Sequence, residues 1–169
     1  SVKVGAVSGA DEIFANAELG NADFVCSRTA QTGALRRMIS LDREGPIAYL
    51  EPFKERLLAR RVTKFDESNW WKWGRRHFVS EAPRIYVNQK TRQARPFFLN
   101  DCRNYDGSVL ALFPHRRDVD IARLAAMLND VDWAELGFVC DGRHLFAQRS
   151  LEHALLPEDF APFAARQLV

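Results

Sequence analysis

The side chains with the most chemical reach lie in Asn69-Trp70-Trp71-Lys72-Trp73-Gly74-Arg75-Arg76, where three of the chain's four tryptophans fall within four positions. Indole faces stack on bases or guanidinium groups, and the interleaved cations neutralise phosphates. Together they predict a surface for a polyanion that carries planar groups. The competing arrangement turns Trp70 and Trp73, three apart, into a core while the cations reach outward. The positive charge continues beyond this run. From Lys54 to Arg103 there are 13 Lys/Arg against five Asp/Glu, a surplus of eight, whereas the whole chain carries only +2 and its remainder therefore −6. Nine of these 13 cations are Arg, the residue suited to planar, bidentate contacts with phosphate or guanine. A solvated face whose cations pair with acids from elsewhere would have the same composition. The nucleic-acid reading requires the cations and indoles to share one continuous trough.

Catalytic patterns are missing from the sequence. It holds no Gly-x-Gly-x-x-Gly, no Walker loop and no Gly-x-Ser-x-Gly. Asp130 and Asp132 read as solvated caps at a helix end rather than a metal pair. Glu81, Lys90 and Asp101 are the best set for a small metal-dependent nuclease, but such triples arise by chance at this composition. Cys26, Cys102 and Cys140 are odd in number and widely spaced, and the four histidines are scattered. Neither set has zinc-ligand spacing, so no metal site is expected and the thiols are expected to be reduced, in a cytoplasmic protein. No apolar run approaches the ~20 residues of a membrane span. A binding domain is favoured over an enzyme. The alternatives are the nuclease and a protein-interaction module with the tryptophans as its hot spot.

The positioning elements must come from 169 residues, enough for one domain with its own core. Strands are predicted at residues 2–7, 12–17, Asp23–Ser27, Arg84–Asn88, Pro96–Leu99, Val109–Phe113, Leu136–Cys140 and Leu145–Gln148. Leu35–Leu41 reads as a strand or a short helical turn. Pro46–Arg61 reads as an amphipathic helix with Leu50, Phe53, Leu57 and Leu58 on one stripe. A second helix, capped by Asp118 or Asp120, runs to about Asn129 with Ile121, Leu124, Ala125 and Leu128 on one face. Lys90–Arg95 reads as an exposed hairpin loop, Tyr105-Asp106-Gly107 as a turn, and Asp141-Gly142 as a two-residue hairpin turn. The C-terminal stretch with Pro157 and Pro162 reads as irregular or peripheral. The sum is an α+β, β-rich single domain over residues 1–169, with a few helices flanking a mixed or mainly antiparallel twisted sheet.

Val4-Gly5-Ala6-Val7-Ser8-Gly9-Ala10-Asp11, followed by Phe14, resembles the opening of the target-recognition half of Taq-type, gamma-class adenine-specific DNA methyltransferases of type II restriction–modification systems. Ser8 stands where that family has Thr, and Asp11 where it has Asn. Further segments follow in the family's order. Tyr49-Leu50 with Leu57 and Arg60-Arg61 resembles the helix before its Trp-rich segment, here Trp70 to Arg75. Pro83-Arg84-Ile85-Tyr86-Val87-Asn88 and Arg95-Pro96-Phe97-Phe98 resemble its strand and the segment after it. Leu124 to Asn129 is similar to its Leu-Asn helix, and Phe146 to Pro157 to its closing stretch. The family's catalytic Asn/Asp-Pro-Pro-Tyr/Phe motif and its Gly-rich methyl-donor segment do not occur.

The resemblance implies a fragment of a longer bacterial methyltransferase: the DNA-reading domain, inactive alone. S-adenosylmethionine would be bound by the separate catalytic domain of the same polypeptide, and no cofactor by this part. Its partners would be double-stranded DNA and that catalytic domain, with no membrane and a monomeric state. Flipping the target adenine costs a few kcal/mol, which contacts elsewhere on the duplex must offset. On residue type and location, Lys54, Arg56, Arg60, Lys72, Arg75 and Arg76 are candidates for phosphates. Lys90, Arg92, Gln93, Arg95, Asn100, Arg103 and Asn104 are candidates for base edges, and Trp70, Trp71 and Trp73 for base stacking. Arg84 and Asn88 are expected to support the strand between them.

Overall fold

Alternation along the two central strands sets the architecture. The computed structural model describes residues 1–42 and 44–163. Its first half contains β1 (Val2–Val4), α1 (Asp11–Phe14), β2 (Ala22–Phe24), α2 (Thr29–Thr32), β3 (Arg36–Met38), a 3₁₀ turn (Ala48–Phe53) and α3 (Lys54–Leu58). The second half contains β4 (Ile85–Asn88), β5 (Lys90–Thr91), β6 (Phe97–Phe98), β7 (Val109–Leu112), α4 (Ile121–Asp130), β8 (Val139–Cys140), β9 (Arg143–Leu145), α5 (Gln148–Glu152) and a 3₁₀ turn (Glu158–Phe163). The chain is an α+β domain. A four-stranded sheet in the order β1-β7-β4-β6 is antiparallel at every junction.

Successive residues of a strand point to opposite faces, and both faces of this sheet are covered. Ile85, Val87 and Leu110 join Leu124, Ala125 and Leu128 of α4, together with Trp133, Phe138 and Phe146. Tyr86, Val109 and Ala111 turn to the other face, with Val25, Tyr105 and Phe113. The Asp120 carboxylate caps α4 by accepting from Arg123 N at 3.1 Å. At its far end Asn129 closes the sheet edge: Oδ1 accepts from Phe97 N (2.8 Å) and Nδ2 donates to Phe97 O (2.9 Å). This side-chain amide pairs with edge strand β6 as a backbone peptide would, removing an unpaired edge.

A second core gathers α1, the β2–β3 pair, α3 and the Trp run: Ile13, Phe14, Phe24, Met38, Ile39, Leu50, Leu57, Trp70 and Trp73. It is tied to the sheet through parallel bridges Ala6–Asp106 and Val25–Tyr105 and an antiparallel bridge Val7–Arg75. Gly5 permits this approach, since a Cβ there would stand 1.8 Å from Asp106 O.

Several local expectations change in the fold. Residues 12–17 are not a strand, because α1 occupies Asp11–Phe14 and both Ile13 and Phe14 are buried. Ala15 N closes the helical turn by donating to Asp11 O at 2.8 Å. The helix expected over Pro46–Arg61 divides into a 3₁₀ turn and α3, with Pro52 inside the turn, where its ring lacks the donor an α-helix needs. Lys90 is not in a loop: β5 pairs with β9 in a small sheet ordered β5-β9-β8. The expected strand Leu145–Gln148 ends at Leu145, and Gln148 starts α5. The C-terminal stretch is not peripheral, since Leu151 and Phe160 enter the core beside the sheet. Residues 164–169 of that stretch lie outside the described residues. Asp141-Gly142 forms the turn between β8 and β9, with φ of 51° and 76°, the pair of positive angles that a type I′ hairpin requires. No helix among the described residues is long and apolar enough to cross a membrane.

Candidate nucleic-acid interface

The segment Val4–Asp11 builds a buried support. Ser8 is fully buried; its Oγ accepts from Ala10 N (3.1 Å) and donates to the Asp11 carboxylate. Arg60 reaches this turn from the end of α3. Its guanidinium donates to Ser8 O (2.5 Å), Trp70 O (2.7 Å) and Leu57 O (2.8 Å). It lies over the rings of Phe65 (3.8 Å) and Phe14 (5.4 Å). Burial lowers its pKa to about 10, so it remains a cation at neutral pH. Arg60 therefore ties three chain segments together and has no phosphate-facing role, which corrects its place among the DNA contacts. Arg84 behaves as expected of a support: it is buried and donates to the carbonyls of Ser80, Ala82 (3.3 Å) and Arg103 (3.0 Å). Asn88 Nδ2 likewise holds Ser27 O at 2.7 Å.

The tryptophans are also corrected. Trp70 is 3% exposed and Trp73 8%, so neither offers a face to a base. Trp73 stacks on Phe24, centroids 4.8 Å apart, and its Nε1 donates to Ile39 O at 2.8 Å. Trp70 meets Trp71 edge-on at 5.9 Å. Trp71 is half-buried against the same core, with its Nε1 buried and without a hydrogen-bond partner among the described residues. A buried core, not a stacking platform, thus explains the Trp spacing, and the hot spot of the interaction-module alternative goes with it.

The cations divide into three groups. Arg60 and Arg84 are buried. Five pair with carboxylates: Lys54 with Glu67 (2.6 Å), Arg56 with Glu12, Arg76 with Asp42 (2.6 Å), Arg95 with Asp130 (3.0 Å) and Arg103 with Glu81 (3.1 Å). Glu12, Asp42 and Asp130 lie outside the basic stretch, so distant acids offset part of its surplus. Arg61, Lys64, Lys72, Arg75, Lys90 and Arg92 are in no ion pair among the described residues. The single continuous trough is therefore replaced by smaller groups. Of the proposed nuclease set, Glu81 is paired with Arg103 and Lys90 sits on the small sheet. Among the described residues no group of three or more His, Cys, Asp or Glu could hold a metal ion.

One group does converge. Trp73, Arg75, Arg76 and Asn104 line a cleft of about 150 Å³, together with Ser40, Asp42 and His77. Arg75 is positioned by its backbone, which exchanges hydrogen bonds with Val7 (2.8 and 2.9 Å); the residue is exposed, and its guanidinium donates to Gly5 O at 3.5 Å. Asn104 Nδ2 donates to Asp23 O (3.3 Å), which leaves Oδ1 to accept from His77 Nε2 at 3.0 Å. The cleft thus carries two guanidinium groups beside an amide that His77 and Asp23 already hold, with room for one phosphate.

No protein-family model and no curated protein matches the chain.

The remaining candidates lie elsewhere. Lys90, Arg92 and Gln93 belong to β5 and the residues just after it. Asn100 is occupied locally, its Oδ1 accepting from Cys102 N at 2.8 Å. Sequence reasoning missed His77 and Ser40. His77 directly follows Arg75-Arg76, a signal overlooked when the histidines were searched only for zinc spacing. Ser40 carries no such signal; β3 brings it in. The sequence also passes over Asp106, whose carboxyl is pushed upward in pKa by burial, against the lowering effect of bonds from the Ser108 hydroxyl and backbone.

Proposed function

We propose that this chain is the DNA-reading domain of an adenine-specific DNA methyltransferase. It would hold a duplex while a separate S-adenosylmethionine-dependent domain of the same polypeptide methylates a flipped adenine. The observation that carries this reading is the cleft lined by Arg75, Arg76, His77 and Asn104, groups from two distant segments that present anion and base-edge donors together. The segment Val4–Asp11, which carries the resemblance, builds the turn on which Arg60 and Arg75 are seated.

The buried indoles and the ion pairs remove the continuous trough that the sequence reading required, so the proposal rests on the smaller cleft alone. The Arg76 and Asp42 side chains are 61% and 31% exposed, and such pairs contribute only about 0–1 kcal/mol. A phosphate that brings its own charge can displace Asp42 at little cost. The revised contact set is Arg75, Arg76, His77 and Asn104, without the tryptophans, Arg60 and Lys72, which does not line the cleft.

The test is duplex binding by fluorescence anisotropy over a salt series, together with selection from a pool of random duplexes. The expected result is salt-dependent binding, enrichment of one motif that contains adenine, and a slope of log K against log salt smaller by about 1 in Arg75→Ala. Absence of salt-dependent duplex binding, or of any enriched motif, refutes the proposal.

A further inference from the structure

A second basic group is hidden from the charge count because one member lies outside the Lys54–Arg103 stretch. The register of the small sheet pairs Lys90 with Leu145 and Thr91 with His144. Continued by one residue, it sets Arg92 opposite Arg143. The Arg92 guanidinium donates to Asp141 O at 3.2 Å and would stand 3.4 Å from a Cβ on Gly142. It rests on the hairpin tip, next to Arg143. Lys90, Arg92 and Arg143 are all exposed. None is in an ion pair among the described residues, although Asp141 is close by.

Like charges set opposite each other on neighbouring strands repel. That arrangement becomes favourable when an anion lies against both. Asp141 and Gly142, with φ of 51° and 76°, close the hairpin in two residues. β5 flanks that hairpin in a three-stranded sheet, so the tip brings Arg143 and the end of β5 brings Arg92 to one end of the same sheet. We infer that the β8–β9 tip is a second duplex-binding element, in which Arg92 and Arg143 contact backbone phosphates with Lys90 behind them. This rests on the DNA-reading proposal and adds a residue, Arg143, and a surface that the cleft does not include.

The experiment uses the full chain and the same anisotropy assay, with Arg143→Gln, Arg92→Gln/Arg143→Gln and Arg143→Lys. Arg143 makes no side-chain hydrogen bond among the described residues, so Arg143→Gln leaves the fold intact, which circular dichroism checks. The slope of log K against log salt is expected to fall by about 1 in Arg143→Gln and about 2 in the double variant, with Arg143→Lys near the wild type. An unchanged slope in the double variant overturns the inference; loss of slope in Arg75→Ala, measured alongside, shows that the cleft reading survives it. If the wild type binds no duplex, both fall together.

Discussion

Replacing Arg60 separates a structural arginine from a DNA contact. In Arg60→Ala, Ser8 O and Trp70 O lose charged donors that now stand 2.5 and 2.7 Å away. Both carbonyls lie in buried surroundings, where an unsatisfied group costs about 1–3 kcal/mol. The third acceptor, Leu57 O, is buried too but keeps a backbone donor, Arg60 N at 3.4 Å. The cation also leaves the faces of Phe65 and Phe14, worth about 0.5–2 kcal/mol. The total is roughly 2.5–8 kcal/mol, a large share of the 5–15 kcal/mol that holds a typical domain folded. Arg60→Lys keeps the charge but not the planar fork, so it can bond only some of the three carbonyls and is expected to fall between the two. Urea unfolding followed by the fluorescence of the neighbouring tryptophans measures both. If Arg60→Ala unfolds within about 0.5 kcal/mol of the wild type, the size of an ordinary surface substitution, the buried-clamp assignment is wrong. Weakened DNA binding at unchanged stability would return Arg60 to the phosphate contacts.

Two further perturbations test the same region. Asp106 has its folded pKa raised by burial, so its contribution favours the fold at low pH and is lost as pH rises through that raised value. Asp106→Asn keeps an oxygen to accept from Ser108 and carries no charge. It is expected to be more stable than the wild type at neutral pH and to lose that advantage in acid, as thermal unfolding at the two pH values would show. Gly5→Ala places a Cβ 1.8 Å from Asp106 O and 2.3 Å from Asp106 C, both backbone atoms. Forcing the Ala6–Asp106 bridge apart is expected to cost ~3 kcal/mol or more, at the upper end of overpacking effects, read from the urea midpoint.

Local signals made part of the fold legible in the sequence. The Asp120-capped helix, the Asp141-Gly142 turn and the strands around Ile85–Asn88 and Val109–Leu112 depend on neighbours a few residues apart. Caps, turn angles and strand alternation need no distant partner. The small sheet was less legible, because a two-residue strand such as Lys90–Thr91 has too short a period to distinguish it from a loop.

The fate of the basic, Trp-rich stretch was a different question, and only tertiary structure answered it. The sequence by itself determined which groups were present: indoles at a helical spacing and a surplus of guanidinium groups. It could not say which of them would be buried. Trp73 becomes a core residue because Ile39 O, 34 residues away, accepts its N–H. Arg60 becomes a clamp because Ser8 O, 52 residues away, turns toward it. Arg56, Arg76 and Arg95 meet carboxylates from outside their stretch, while Arg75 is left exposed by a two-way backbone bond to Val7. An ionic or aromatic side chain is placed by the groups that satisfy it. When those groups come from distant segments, chain folding rather than residue type decides whether it supports the protein or faces a ligand.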